Sequence, residues 1–251
     1  MKTKIIFISL FLSLVINGYA QSDFKRFAIS TSAENVINKG WKYSFGADYV
    51  FPVKGVNNIG LGVYYAFAKH SLNSEEFFYS CDIVDDENEN FIYKAHGKDI
   101  KENQTIHFVE IPIYYQLRIK SFFFNVGPKI AVPIKSEYHI TNGNVELTGY
   151  YPKYNVELTD LPNHGFANYN IAGKQGNLDT QIAWGANVCL GYCLPLGSID
   201  LNIKAFAEYM FNDFVSKGQS FLEYPGNINS YSYACERSGH FSLGFSLGIG
   251  F

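Results

Sequence analysis

The sequence predicts an all-β protein, a transmembrane antiparallel up-and-down β-barrel of eight strands. Three observations support this prediction: an alternating C-terminal segment, an export signal at the N-terminus, and a regular succession of short and long connections. Residues 241–251 place a large apolar side chain at every odd position and Ser or Gly at nearly every even position. Successive side chains of a strand point to opposite faces, so this segment has one bulky apolar face and one nearly bare face. Such a strand suits a barrel wall with lipid outside and a crowded lumen inside.

The N-terminus has the parts of a secretory signal peptide. Lys2 and Lys4 precede a mainly apolar run over 5–16, and the small residue Ala20 follows it after a short polar segment. This run is too short to cross a membrane as a helix. We therefore predict that residues 1–20 are removed on export and that residues 21–251 form one barrel domain.

Composition narrows the class further. Aromatic residues make up 17% of the chain and glycines number 22, whereas only 17% of residues are charged. These proportions favour strands over helices. The formal net charge of −3 gives no electrostatic reason to expect a nucleic-acid partner. Together with the export signal, these features predict a protein of the bacterial outer membrane that contacts outer-membrane lipid and is a monomer.

The strand pattern gives the expected layout of the barrel. Alternating segments occur at about 25–32, 41–51, 59–70, 105–119, 122–134, 181–194, 199–211 and 241–251. The connections between them are short at 53–57, 120–121 and 196–197, and long at 34–40, 71–103, 135–178 and 213–237. Outer-membrane barrels have short periplasmic turns and long extracellular loops, and we expect the same here. A soluble lipocalin-like barrel would be apolar inside and polar outside, which is the reverse of this pattern.

The faces predicted to point into the barrel carry both signs of charge. These residues are Arg26, Lys42, Asp48, Glu110, Arg118, Lys129, Asp200, Lys204 and Glu208. Eight strands enclose only enough space for side chains, and an unpaired buried charge costs several kcal/mol. We therefore expect ion pairs to plug the lumen, with Lys129 diagonally opposite Glu110. A polar conduction path or proton relay is the alternative.

Four cysteines remain in a compartment that is predicted to be oxidising. Cys189 and Cys193 share a strand face but lie about 13 Å apart at ~3.3 Å per residue, which is too far for a disulfide. We expect them to fill the lumen, and a metal site is the alternative. Cys81 and Cys235 fall in the second and fourth long loops and are candidates for a disulfide across the barrel mouth.

The second and third long loops are candidates for interaction. Residues 82–90 form an acidic run, which is either a solvated loop or a set of oxygen ligands for calcium. The third loop repeats Asn-Val-Glu-Leu-Thr at 144–148 and 155–159, and Asn142-Gly143 before the first copy predicts a hairpin. We expect strand structure above the membrane here, or ten strands if this hairpin is embedded. A candidate interaction surface consists of Tyr138, Tyr150, Tyr151 and Tyr154.

A catalytic alternative depends on residues near the predicted outer rim. This set contains three histidines, one serine and three glutamates: His70, His107, His240, Ser71, Glu75, Glu76 and Glu102. A lipid- or peptide-acting site would need several of them to converge, and spacing alone does not establish that. No motif of a known barrel enzyme is present, so we predict no catalytic residue, no cofactor and no metal site.

Two internal segments and the C-terminus resemble one protein family. The segments Val109-Glu-Ile-Pro-Ile-Tyr-Tyr115 and Phe124-Asn-Val-Gly-Pro128, the signal peptide and the terminal Phe251 resemble the PorT-like outer-membrane β-barrel family. The resemblance implies a small eight-stranded barrel whose final Phe251 is the signal read by the barrel-assembly machinery. It also implies a connection with secretion-system proteins.

The expected function is therefore one of interaction. The chain would be an accessory to secretion or envelope assembly, or a surface module that binds an extracellular ligand through its loops. An enzyme with its active site at the extracellular rim and a narrow ion or solute path are the alternatives.

Overall fold

The computed structural model describes residues 26–215, 222–223, 227–228 and 240–251. The predicted signal peptide and Cys235 lie outside these ranges. Within them the chain consists of strands, turns and one short 3-10 helix, Pro162–His164. No helix in the described part of the chain is long and apolar enough to cross a membrane.

Eight antiparallel strands form a closed ring, which confirms the predicted number of strands. Consecutive ring strands pair with each other, and the last one closes the ring by pairing with the first. The ring strands are β1 (Phe27–Val36), β2 (Gly40–Lys54), β3 (Asn57–Val84), β4 (Asn90–Ile119), β5 (Phe122–Tyr151), β9 (Ala183–Leu196), β10 (Ile199–Met210) and β13 (His240–Gly250). The short strands are β6 (Val156–Leu158), β7 (Asn168–Asn170) and β8 (Gln175–Asn177), which pair with β5, and the pair β11 (Leu222–Glu223) and β12 (Asn227–Ile228). The ring therefore has eight strands, not ten.

The predicted alternation places large apolar side chains on the outside of the ring. On β13, the outward Phe245 is 72% exposed, whereas the inward Ser242 is fully buried. Small residues on the inner face leave room for side chains that cross the lumen: a Cβ atom at Gly191 would lie 2.0 Å from the Phe123 ring. The inner face is nearly bare on some strands because larger residues of other strands fill the same space.

The outward side chains form a continuous apolar belt around the ring. Along β13 this belt runs from Phe241 to Ile249 and is about 20 Å tall, at ~3.3 Å per residue and the usual strand tilt. Exposed aromatic residues mark both of its edges: Trp41, Trp184, Phe211 and Phe241 on one side, and Phe27, Phe51, Phe122 and Phe251 on the other.

One rim carries the short turns that the sequence predicts, whereas the other carries more strand structure than predicted. Three short turns join β2 to β3, β4 to β5 and β9 to β10, and we call their side the short-turn rim. At the opposite, long-hairpin rim, the predicted loops 71–103 and 135–178 are largely strand, because β3, β4 and β5 continue well past the belt. The β3–β4 turn takes up only 85–89, and the predicted long loop 34–40 is a turn at 37–39. Most of the predicted loop 213–237 lies outside the described residues.

The extended strands exchange their buried and exposed faces at a common level. On β4 the buried positions have even numbers from Ile100 onwards and odd numbers before it, as at Tyr93. On β5 the buried positions change from odd to even numbers between Ala131 and Ser136, at a register shift, and back to odd numbers between Ile140 and Val145, where Gly143 adopts a φ of 152°. The pair Asn142-Gly143 is therefore a bulge inside one continuous strand, and the predicted hairpin at this position is wrong. Its glycine fits a bulge as well as a turn, because both need unusual backbone angles.

Beyond the belt, parts of three strands form what we call the outer sheet: 72–84 of β3, 90–101 of β4 and 142–151 of β5. The continuation of β5 to Tyr151 and its pairing with β6 confirm the expected strand structure above the belt. One side of the outer sheet is covered by the segment 156–181. A shared core lies between them, built from Phe91, Tyr93, Val145, Leu147, Phe166 and Ile171. A Cβ atom at Gly149 would lie 2.4 Å from the Phe166 ring, so the covering segment packs directly onto the strand. The outer sheet is thus a packed layer whose apolar core continues into the buried residues at the mouth of the ring.

Candidate functional site: a filled lumen and an outer sheet

Five buried charged residues form a central cluster inside the ring: Glu34, Lys42, Glu110, Lys129 and Glu208. The Lys42 ammonium group donates to Glu110 Oε1 at 2.7 Å and to Glu208 Oε1 at 2.9 Å, and it also contacts Glu34. Lys129 donates to Glu110 Oε1 at 2.7 Å and to the other oxygen of Glu208. Two cations thus bridge carboxylates of β1, β4 and β10 across the lumen.

Glu34 is the member of this cluster that the sequence did not indicate. The sequence predicts that β1 ends near residue 32 and places Glu34 in a loop. In the structure β1 continues to Val36, which turns Glu34 inward to Lys42 and to the Ser242 hydroxyl, 3.2 Å from its Oε2. Residues 30, 32 and 34 lie on the same face of a strand. Continuing the alternation of β1 by two residues therefore predicts that Glu34 points inward.

The central cluster combines two lysines with three glutamates. Oxygens of its three glutamates lie within 4.8 Å of one another, a spacing that would allow them to hold a metal ion. Both ammonium groups lie among these oxygens and already supply positive charge. The arrangement is that of an internal ion-pair network, in which removal of one partner leaves another charge buried and unpaired.

A second cluster surrounds Asp48, closer to the short-turn rim. Asp48 accepts hydrogen bonds from Lys204 at 2.9 Å, from Ser30 at 3.3 Å and from the Tyr64 hydroxyl. A cavity of about 80 Å³ lies between this second cluster and the central cluster and is lined by residues of both. Its polar lining and volume suit a few ordered waters.

The remaining predicted lumen charges lie near the short-turn rim. Arg26 is exposed, Arg118 is partly exposed and Asp200 is buried. Arg26 and Arg118 line a small cavity of about 30 Å³, and the Arg118 guanidinium donates to the Lys120 carbonyl at 3.3 Å. These three residues belong to the mouth of the barrel, not to its centre.

An apolar layer closes the lumen on the side of the long-hairpin rim. The rings of Phe108 and Phe214 stack with centroids 4.6 Å apart, and Ile106 and Met210 are buried beside them. We call these four residues the lid. The Lys42 ammonium lies 5.8 Å from the centroid of the Phe108 ring, so the lid rests directly on the central cluster. Within the described residues, the lumen is therefore blocked by charge pairs and by aromatic packing above them.

Within the ranges that the structure describes, the rim histidines do not converge with a nucleophile. His70 and His240 face each other inside the mouth with ring centroids 6.2 Å apart, whereas His107 lies on the outer wall, where its Nδ1 is 2.6 Å from the Tyr65 hydroxyl. Among the described residues, no hydrogen bond joins His70 or His240 to Ser71 or to a carboxylate. The geometry accordingly assembles no Ser-His-acid arrangement of the kind considered from the sequence.

The uncovered side of the outer sheet carries an unpredicted group of polar and aromatic residues. The Phe78 ring is 72% exposed and stacks on the His96 imidazole with centroids 4.2 Å apart. His96 Nε2 lies 2.5 Å from Glu76 Oε1, and the Lys94 ammonium lies 2.8 Å from Glu157 Oε1. A groove of about 600 Å³ runs along these side chains.

The acidic run 82–90 and the predicted tyrosine surface contact each other at the tip of the outer sheet. Glu89 accepts hydrogen bonds from Lys153 and from the Tyr154 hydroxyl, and these contacts lower the pKa of its carboxyl group. Asp85 accepts main-chain N–H groups of Glu89 and Glu87, and the Tyr151 hydroxyl at 3.1 Å, which likewise lower its pKa. These carboxylates are engaged by the protein itself in a way that fixes the turn.

Two of the predicted interaction tyrosines have other roles. Tyr138 is buried in the core beneath the segment 156–181, so its prediction as a surface residue is wrong. Tyr150 is partly exposed, and its hydroxyl donates to Asn155 at 3.0 Å. Tyr138 is buried because the register of β5 shifts by one residue between Pro133 and Lys135, so that even-numbered residues point inward from there to the bulge at Gly143.

The cysteines divide between the lumen and the outer sheet. Cys189 and Cys193 are buried on the inner wall, next to the Phe123 ring. Cys81 is partly buried on the covered side of the outer sheet. Its predicted bond to Cys235 involves a residue outside the described ranges.

The fold and the site together define a closed, eight-stranded antiparallel β-barrel-like protein with a filled lumen and an ordered outer sheet. The chain matches no model of a known protein family, and no curated protein sequence matches it significantly.

Proposed function

We propose that this protein is an outer-membrane β-barrel that acts through its outer sheet, as a surface-binding module or as an accessory to secretion or envelope assembly. The observation that carries the proposal is the continuation of β3, β4 and β5 past the apolar belt into a sheet whose apolar core continues into the lid. Elaborate and ordered structure beyond the belt is where a barrel with a filled lumen has surface free for recognition.

The belt supports the membrane part of this proposal. Soluble proteins rarely expose contiguous apolar patches of more than a few hundred Å², whereas outward apolar side chains surround this ring and end in aromatic residues at both edges. In the proposed orientation in the membrane, the short-turn rim faces the periplasm and the outer sheet faces outward from the cell. Outer-membrane lipid would then be the partner of the belt.

The final strand supports a role for the barrel-assembly machinery. Phe251 follows β13, its N–H donates to the Phe27 carbonyl at 2.8 Å, and its ring lies 6.4 Å from that of Phe27. The terminal aromatic residue thus lies at the seam where β13 closes onto β1. We propose that Phe251 is the signal read by the barrel-assembly machinery and that the chain is a member of the PorT-like family.

The filled lumen argues against a conducting pore. Two bridging lysines and the stacked rings of Phe108 and Phe214 block the path at successive levels. We expect the protein to give no discrete currents in planar bilayers. Discrete currents that disappear in Lys129→Met or Glu110→Gln would instead support the narrow ion path.

The proposal is tested in cells by removing either the protein or its outer sheet alone. The gene is deleted and then complemented with the full chain or with a variant in which 73–101 is replaced by a short Asn-Gly turn. Secreted and surface proteins are compared by mass spectrometry, and surface exposure is checked by protease treatment of intact cells. Loss of a defined set of exported or bound proteins in both mutants supports the proposal. An unchanged set of proteins in both mutants would overturn it.

A further inference from the structure

Among the described residues, the outer sheet has an open edge on β3. Pairing between β2 and β3 ends at Gly40 and His70, and the last hydrogen bond on this side runs from the Ser71 N–H to the Lys39 carbonyl at 2.8 Å. From Leu72 to Val84, β3 pairs only with β4 in the part of the chain that the structure describes. We call the side of β3 that faces away from β4 over 72–84 the β3 edge.

The β3 edge is long for an unpaired strand. It spans 13 residues, or about 40 Å at ~3.3 Å per residue. Half of its main-chain N–H and C=O groups point away from β4, which makes it a ready template for another strand. It arises because the β1–β2 hairpin turns at 37–39 whereas the β3–β4 hairpin turns only at 85–89.

The side chains beside the β3 edge are incompletely covered. Tyr79, Cys81 and Ile83 pack against the core of the outer sheet but remain partly exposed at its margin. On the opposite side Phe78 is largely exposed. One more strand along this edge would bury apolar surface on both sides of the sheet, in addition to satisfying main-chain groups.

The charge at the β3 edge determines which strand would fit. Residues 72–84 contain three acidic side chains, Glu75, Glu76 and Asp82, and no Lys or Arg. The turn that follows adds Asp85, Asp86, Glu87 and Glu89, of which Glu89 pairs with Lys153, so the edge strand and its tip carry a net negative charge. A second copy of the chain paired edge to edge would bring like charges together, whereas a basic strand would be attracted to them.

We infer that the β3 edge binds an extended, positively charged segment of a partner polypeptide, which adds to the outer sheet as a further antiparallel or parallel strand. This inference depends on the proposed function, because it names the partner chemistry of the outer sheet. Alternate side chains of the segment would be apolar, to cover Tyr79 and Ile83, and basic, to face the exposed carboxylates. Main-chain hydrogen bonds give such a complex its affinity, and the charges give it selectivity and a dependence on salt.

The test uses the full mature chain folded in detergent micelles and three synthetic twelve-residue peptides. The first alternates Lys with Val or Thr, the second has Glu in place of each Lys, and the third is the Lys peptide with N-methyl groups on alternate amides. Binding is measured by fluorescence anisotropy, and amide exchange of 72–84 is followed by mass spectrometry. We expect the Lys peptide to bind and to slow exchange in 72–84, and the other two to bind at least about tenfold more weakly.

A matched pair of variants assigns the binding to the edge. Glu75→Lys combined with Asp82→Lys reverses two exposed charges on the edge strand and should weaken binding of the Lys peptide at least about tenfold. Glu146→Lys reverses an exposed charge on β5, away from the edge, and should change it less than about threefold. Equal effects of the two variants, or equal binding of the N-methylated peptide, would overturn the inference.

Two other occupants are distinguished in the same experiments. A dimer in sedimentation that dissociates in Glu75→Ala would identify a second copy of the chain and overturn the inference. A Cys81–Cys235 disulfide, with peptide binding seen only in Cys235→Ser, would show that the chain covers its own edge, and it would also overturn the inference. If the peptide fails to bind while deletion of 73–101 still alters the exported proteins, the inference fails alone. If both fail, the proposed function fails as well.

Discussion

The Asn142 side-chain amide donates a 3.0 Å hydrogen bond to the main-chain carbonyl of Asp99 on the neighbouring strand. Asp99 has a φ of 51° and Gly143 one of 152°, so the irregular backbone of β4 and that of β5 lie side by side. At this level the two strands exchange their faces, and the contact joins the irregularities of both. The segments directly on either side of this level can therefore each keep a regular alternation while they bury opposite sets of residues.

Gly143→Val should loosen the outer sheet without opening the ring. The new side chain would begin 2.9 Å from Ile100 Cγ1 and 3.1 Å from Ile171 Cδ1, at a φ that β-branched residues avoid. We expect a local loss of about 1–3 kcal/mol. Hydrogen exchange in 142–151 should accelerate, whereas exchange in 241–250 should stay unchanged. Glu146→Val, at an exposed position of the same strand, is the control and should alter neither. Equal acceleration in both segments would contradict the role assigned to the bulge.

Lys129→Met should destabilise the barrel strongly, because it leaves Glu110 and Glu208 with one bridging cation fewer. Breaking a buried ion pair costs about 3–5 kcal/mol. Lys135→Met is the matched control: its pair with Glu137 is 2.6 Å long but exposed, and it should cost about 0–1 kcal/mol. The measurement is the free energy of unfolding in urea with lipid vesicles.

A second variant keeps this prediction testable if Lys129→Met does not fold. Lys129→Met combined with Glu208→Met removes one charge of each sign, and we expect it to recover part of the lost stability. A double variant less stable than Lys129→Met would argue that the central cluster does not act as a set of compensating pairs.

Leu247→Arg should block insertion into lipid. Leu247 is an exposed apolar residue in the middle of the belt, where an arginine that faces lipid costs about 2–4 kcal/mol. Phe78 is even more exposed than Leu247, but it lies on the outer sheet beyond the belt. The Phe78→Arg variant should therefore insert normally. Folding into vesicles is followed by the shift in electrophoretic mobility on heating. Equal insertion of both variants would argue against a membrane location of the belt.

Acid should release the tip of the outer sheet. The contacts of Glu89 with Lys153 and Tyr154 lower the pKa of its carboxyl group below the ordinary value of 4.5. A carboxyl group whose pKa is lower in the folded state contributes stability above its ordinary pKa, and this contribution is lost as the pH falls through the folded value. We therefore expect amide protection of 85–89 to be constant from pH 7 to about 4.5 and to decrease below it.

Glu89→Gln supplies the comparison for this pH dependence. It should show weaker protection of 85–89 already at pH 7, with a smaller further change on acidification, because its charge is absent throughout. If wild type and Glu89→Gln lost protection at the same pH and to the same extent, the contact with Lys153 would not be the cause.

The sequence by itself determined the ring and its orientation of faces. Alternation along β13, where Phe245 points out and Ser246 points in, is a local property of a strand and needs no partner to be recognised. The short turns at Lys120-Ser121 and Gly197 are local for the same reason, since each depends on a residue that accepts a positive φ. These features gave the number of strands, the apolar exterior and the charged lumen.

Only the tertiary structure decided what lies beyond the belt and which charges meet. The register shift at 133–135 and the bulge at Gly143 each reverse the alternation of β5, so the sequence could not say whether Tyr138 or Tyr150 would be buried. The central cluster joins Lys42 to Glu208 across 166 residues, and its lid brings Phe214 onto Phe108. Parity beyond a bulge and contacts across a lumen depend on which strands become neighbours, and closure of the ring fixes those neighbours.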